Sequence, residues 1–87
     1  MSNGDVYRMA GANNRNCDSL PGYEEVTDLH QCKSFIRMSG KTFKVTETNS
    51  QFPIGCYATG HSNTDIYFNY DSYGGGTSIS FPICFKS

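Results

Sequence analysis

Four cysteines, two histidines, eight carboxylates and six tyrosines are the groups of this 87-residue chain that could do chemistry. His30 lies two residues beyond Asp28 and His61 sits in the polar run Gly60-His61-Ser62-Asn63-Thr64. Neither is accompanied by a G-x-S-x-G elbow or another nucleophile motif, so both read as solvated side chains rather than catalytic bases. Glu24 and Glu25 are adjacent and point to opposite faces of an extended segment. Asp65 and Asp71 bracket the Tyr67-Phe68-Asn69 stretch, and a glycosidase would need a cleft between such a pair. The run Asn69-Tyr70-Asp71-Ser72-Tyr73-Gly74 imitates the opening of an EF-hand loop, with oxygen at positions one and three and glycine at six. It departs at position five, Tyr73, and at position twelve, where Ser80 replaces the bidentate glutamate. A looser calcium site of Asp65, Asn69 and Asp71 is the most that remains. We expect no catalytic residue, metal or cofactor.

Cys17, Cys32, Cys56 and Cys84 are separated by 15, 24 and 28 residues, with no C-x-x-C and no close histidine partner. Structural zinc usually takes closely spaced ligand pairs, so two disulfides are the expectation. Four cysteines allow three pairings, and spacing does not choose among them. We prefer the sequential one, Cys17–Cys32 with Cys56–Cys84, each bond worth roughly 3–4 kcal/mol of loop-closure entropy. Disulfides imply an oxidising, extracellular setting. Residues 1–5 are polar and carry no apolar core of a signal peptide. The expectation is therefore a mature or excised module whose signal is absent from this chain, and a reduced cytosolic protein is the alternative.

Aromatic residues gather in the last two thirds of the chain. On a strand through residues 65–70, Ile66, Phe68 and Tyr70 share one face and Tyr67 and Asn69 the other. With the apolar set facing a core, Tyr67 and Asn69 point outward. Together with Tyr70, Asp71, Tyr73 and His61 they form the candidate binding surface. Exposed tyrosines beside amide and carboxylate groups can stack on sugar rings or anchor a protein partner. Alternatively, the tyrosines simply pack well on a pleated surface.

The elements that must position these groups are mostly short. Asp28 with Gln31 three residues on makes a capping-box variant. Leu29, Cys32, Phe35 and Ile36 follow at helical spacing up to a stop at Gly40. Residues 42–48 alternate, with Phe43 and Val45 on one face, as in a half-buried strand. Further strands are expected at 6–10, 53–57, 65–70 and 79–85, the last with Pro82 marking an edge or bulge. The loop 71–77, containing Gly74-Gly75-Gly76, is expected to be flexible. Lys33, Arg37, Lys41 and Lys44 cluster near the helix end, where they complement its dipole.

Several of these residues resemble a small two-disulfide module that recurs in predicted proteins of unicellular algae and related protists. They are Cys17, then Gly22-Tyr23-Glu24-Glu25-Val26-Thr27-Asp28 with Cys32. Pro53-Ile54-Gly55-Cys56-Tyr57, Ile66-Tyr67-Phe68-Asn69 and Pro82-Ile83-Cys84 follow. The resemblance covers about residues 5–85, and its P-x-G-C, Y-F-N and P-I-C parts are the more specific. It implies sequential disulfide pairing and an extracytoplasmic setting, and no activity. Lys33 to Met38 depart from it, standing where the module often has an alanine-rich run.

Composition sets the outer bounds. A formal charge of −1 and 37% hydrophobic residues leave no basic field for a nucleic acid backbone. No apolar run approaches the length of a membrane span. The expected fold is one α+β domain over residues 1–87, with one helix on a small, mostly antiparallel sheet of four or five strands. The expected function is non-enzymatic: a secreted structural or adhesion module that packs against copies of itself or into an extracellular assembly. A carbohydrate-binding module using the exposed tyrosines is the alternative, and a disulfide-rich inhibitor or toxin-like effector a third.

Overall fold

Asp28 is extended, and its carboxylate accepts the His30 backbone N–H at 3.0 Å, satisfying one of the orphan donors at a helix start. Helix α1 runs over Leu29–Ser39. It ends where Gly40 turns left-handed (φ 73°) and returns its N–H to the Ile36 carbonyl. These details come from a computed structural model that describes residues 6–60 and 62–86.

Among the described residues six strands form a single sheet: β1 (Tyr7–Met9), β2 (Tyr23–Glu25), β3 (Thr42–Glu47), β4 (Gly55–Thr59), β5 (Asp65–Asn69) and β6 (Ser80–Lys86). The order is β1-β6-β4-β5-β3, antiparallel except for β3 beside β5. The strand beyond the expected five is β2, which pairs antiparallel with residues 84–86 of β6. Strand β1 covers residues 83–85 of β6, and Ala10 N–H continues that edge by donating to the Pro82 carbonyl at 2.8 Å. Strands β2 and β4 therefore lie in series along the opposite edge, and Val26 joins them by accepting the Cys56 N–H at 2.9 Å.

Pro82, expected at an edge or bulge, instead sits inside the most heavily paired strand. In an antiparallel strand a residue's N and carbonyl face the same side. The missing N–H of Pro82 thus falls opposite Ala10, where it leaves the last pair of the β1–β6 ladder with one bond instead of two. A second difference is in β3. Phe43 pairs with Ile66 but Thr46 with Phe68, so one extra residue bulges from the strand. The bulge breaks the alternation and leaves Val45 exposed, while Phe43 stays on the core.

One face of the sheet carries the main core. Val26, Cys56, Ala58, Ile66, Phe68 and Ile83 bury there against Cys32 of the helix, with Leu29, Phe35 and Ile36 packed around them. The other face is covered too. Cys84 packs there with Ala10 and Cys17, flanked by Leu20 and Tyr23, and the Cys17 N–H donates to Glu25 Oε2 at 2.8 Å.

This two-sided cover overturns the sequential disulfide pairing. The bonds are Cys17–Cys84 and Cys32–Cys56, with Cα separations of 5.9 and 5.6 Å. Tyr57 pairs with Pro82, so continuing the register sets Cys56 opposite Ile83 rather than Cys84. Cys56 and Cys84 point to opposite faces, and neither can reach the other. Cys56 meets the helix at Cys32, and Cys84 meets the loop layer at Cys17. The Cys32–Cys56 loop is nested inside the Cys17–Cys84 loop. Two disulfides suggest an oxidising environment, and none of the helices among the described residues is long and apolar enough to cross a membrane.

Peptide mapping without reductant is expected to recover Cys17–Cys84 and Cys32–Cys56 cross-links. Closed loops of 67 and 24 residues of separation predict losses of about 4.4 and about 3.5 kcal/mol when each bond alone is replaced by a serine pair. Chemical denaturation of the two double variants measures them.

Candidate functional site

Strand β5 lies between β3 and β4, so the chain leaving β3 must cross the end of β5 to enter β4. The crossing segment, residues 48–54, has carbonyls that no strand can pair, and Asn69 at the end of β5 supplies the donors. Its Nδ2 donates to the carbonyls of Asn49 (2.7 Å), Phe52 (3.0 Å) and Pro53 (3.0 Å). Its Oδ1 accepts the N–H of Asn49 (2.9 Å) and of Asp71 (3.1 Å). Asn69 is 2% exposed. It does face away from the helix, as the alternation requires, but that face is covered, so it is a structural hub and not part of an open binding surface.

Tyr67 shares that face and is partly buried. It stacks on Tyr57 (centroids 5.4 Å apart, planes at 14°), which stacks in turn on Phe52 of the crossing segment (5.5 Å, 11°). The fully buried Tyr57 donates its hydroxyl to the Glu47 carboxylate at the end of β3. Burial first, and then the adjacent Glu47 carboxylate, raise the Tyr57 phenol far above its ordinary value of 10.0. This ladder ties β4 and β5 to the crossing segment.

Past β5 the chain emerges. Tyr70 is 58% exposed and rests edge-on against Phe68, 5.0 Å away. Asp71 Oδ2 accepts the N–H groups of Tyr73 (3.1 Å) and Gly74 (2.7 Å), folding the chain into a tight turn. Tyr73, 67% exposed, lies under the Arg15 guanidinium at 4.4 Å, and Arg15 also donates to the Tyr73 carbonyl at 3.2 Å. The glycines that follow do not form the flexible loop expected of them. A Cβ on Gly74 would come within 2.6 Å of Ile54, one on Gly75 within 2.7 Å of the Ser50 carbonyl, and one on Gly76 would strike the backbone of Asn13. Gly75 N–H donates to Phe52 O at 2.9 Å, and Asn13 N–H to Thr77 O at 2.8 Å. Glycine serves here for close backbone approach, and the segment is a packed strap over residues 13–15 and 49–54.

Between this strap and the start of the helix lies a half-open cleft of about 200 Å³, walled by Thr27, Ile54, Phe68, Tyr70, Asp71 and Ser72, with Asn69 at its floor. Tyr70 and Asp71 of the candidate surface thus meet at one cleft, and Tyr73 stands out from the same turn. Tyr67 lies in the ladder, and His61 is outside the described residues. The sequence reading missed Arg15, Thr27, Ile54 and Ser72. They come from separate segments, and no spacing signal links them.

Set against family models, curated proteins and solved structures, the chain has no match.

The remaining candidates stay apart. His30 is exposed in the first turn of α1. Glu24 is exposed on β2, whereas Glu25 turns inward to the Cys17 N–H. Asp65 and Asp71 lie at opposite ends of β5, too far apart to share a cation, and the Asn69 amide is already bonded at both ends. Among the described residues no three His, Cys, Asp or Glu side chains gather as metal ligands. Of the basic cluster, Lys33 lies 5.4 Å over the Phe43 ring, Arg37 donates to Ser34 Oγ and Lys41 to the Asn63 carbonyl.

Asn69→Ala is expected to lower stability by about 3 kcal/mol, because it removes the partner of the buried Pro53 carbonyl and of the part-buried Asn49 carbonyl and N–H at once. Asn69→Asp, which replaces the donors by a charge, should do at least as much harm, and urea denaturation checks both. Because the folded-state value of Tyr57 lies above its unfolded one, its contribution to stability is complete below about pH 10 and is lost as the pH rises further. Ultraviolet titration should show one tyrosine that ionises only as the chain unfolds, and Tyr57→Phe should remove that step.

Proposed function

We propose that this chain is a non-enzymatic adhesion module of an extracytoplasmic setting, and that the loop end carrying Tyr70 and Tyr73 meets its partner. The observation that carries this reading is two large, solvent-exposed tyrosines on backbone that is already fixed. The Asn69 hub, the Asp71 turn, the glycine strap and Arg15 each hold the segment in place. Recognition surfaces gain affinity when their anchors need no ordering on binding, and tyrosine offers large contact area with few rotatable bonds. The two disulfides, one on each face, support work outside reducing compartments.

A second reading, packing of copies into an array, is favoured by Met38, Val45 and Ile79, each about half exposed, and by a net charge of only −1. Such packing would be face to face. The edge strand β1 is three residues long and the edge strand β3 is bulged, and both features discourage strand addition.

Beads coated with the protein test these readings. Clustering of the beads, or their retention on immobilised glycans, is expected for wild type and should be lost in a Tyr70→Ala/Tyr73→Ala variant whose melting temperature is unchanged. Beads inert in both assays, or a variant that adheres as well as wild type, would overturn the adhesion reading. Sedimentation velocity addresses the array separately, and a monomer at every concentration excludes it.

A further inference from the structure

The cleft beside Tyr70 differs in character between its floor and its rim. At the floor, Asn69 has both ends of its amide engaged by backbone. At the rim, the hydroxyls of Thr27 and Ser72 form no hydrogen bond among the described residues. Ile54 and the ring of Tyr70 supply apolar wall. Asp71 contributes a carboxylate whose charge is already shared by two backbone N–H groups at Oδ2.

We infer that this cleft binds one residue of a neutral sugar, its ring against Tyr70 and its hydroxyls on Thr27, Asp71 and Ser72. The inference rests on the adhesion reading and specifies its ligand. A pyranose has an apolar face of C–H groups and a rim of hydroxyls, which matches an aromatic wall beside hydroxyl and carboxylate partners. Charge narrows the class. No Lys, Arg or His lines the cleft among the described residues. An acidic sugar, sulfate or phosphate would therefore face Asp71 with no compensating cation, at the desolvation cost that unpaired charges carry. Asp71 alone, with no second acidic side chain lining the cleft among the described residues, is also a weak site for an isolated cation. As a hydroxyl acceptor it remains well suited, since a carboxylate accepts several hydrogen bonds. Size narrows the class further. At about 200 Å³ the cleft falls below the roughly 300–1,000 Å³ of pockets for drug-sized ligands, so it holds a single ring rather than a length of chain.

Backbone-amide NMR of the intact, oxidised protein tests this, with the methyl glycosides of glucose, galactose, mannose and N-acetylglucosamine as probes. Methyl glucuronide and choline serve as anionic and cationic controls. At least one neutral glycoside is expected to produce saturable shifts at Thr27, Tyr70, Asp71 and Ser72. Tyr70→Ala should weaken that binding about tenfold, in line with the loss of one aromatic contact. Tyr70→Phe should retain it, and Ser72→Ala should lose a few-fold, both with unchanged spectra elsewhere. The inference is overturned by any of three results. These are no shift at these residues with any neutral glycoside, saturation of the cleft by a control ligand instead, and wild-type binding by Tyr70→Ala. Beads that cluster with each other while the glycosides fail to bind would leave the adhesion reading standing and remove only the sugar.

Discussion

The Asn69 amide holds the connection on which this topology depends. Because β5 has β3 on one side and β4 on the other, residues 48–54 must pass over the end of β5 without a strand to bond. Buried backbone groups left unpaired are costly. One side chain with two donors and one two-fold acceptor resolves most of that problem at Asn49, Phe52 and Pro53. Once the crossing is fixed, Phe52 is in place to stack on Tyr57, and Ile54 to receive Gly74. The same amide oxygen takes the Asp71 N–H, so the hub under the crossing also sets where the tyrosine-bearing turn begins.

Layering explains why so small a chain needs its covalent ties. Helix α1 covers one face and irregular segments the other, and a single disulfide anchors each layer to the sheet. A core of this size is marginal by burial alone. The irregular layer is the more dependent of the two, since it has little regular backbone bonding of its own. Glu25 at the Cys17 N–H and Arg8 above the Tyr23 ring add polar support on that side.

Much of the near face was legible in the sequence. Asp28 and Gly40 bounded the helix, and Phe43, Ile66 and Phe68 were placed on the core. One error came from taking the second face of the sheet as open to solvent, and the others from long-range pairing that local pattern does not carry. Asn69 was read as exposed because strand alternation tells which face a residue takes and nothing about what covers it. The disulfides were paired along the sequence, although Cys56 and Cys84 sit one residue out of phase across β4 and β6. Three consecutive glycines signal a mobile linker and a tight backbone crossing equally well, and only the neighbours at Ser50, Ile54 and Asn13 separate the two. Strand β2 was missed because Glu24 and Glu25 obscure a pairing that lasts three residues. The cleft draws residues from the β2–α1 junction, the crossing segment and the strap, so no local pattern announces it.

The Cys17–Cys84 bond also decides how the molecule carries tension. A pull on the two ends of the chain can peel β1 away from β6, but it then reaches Cys17 and passes directly through sulfur to Cys84. Everything between those cysteines lies off the line of force: helix, crossing segment, strap and cleft alike. A module linked in series through its ends would therefore lengthen by only a short, defined amount under load. The tyrosine-bearing turn would still feel the load, because Asn13 and Arg15, which hold Thr77 and Tyr73, lie before Cys17 in the stretch that is pulled.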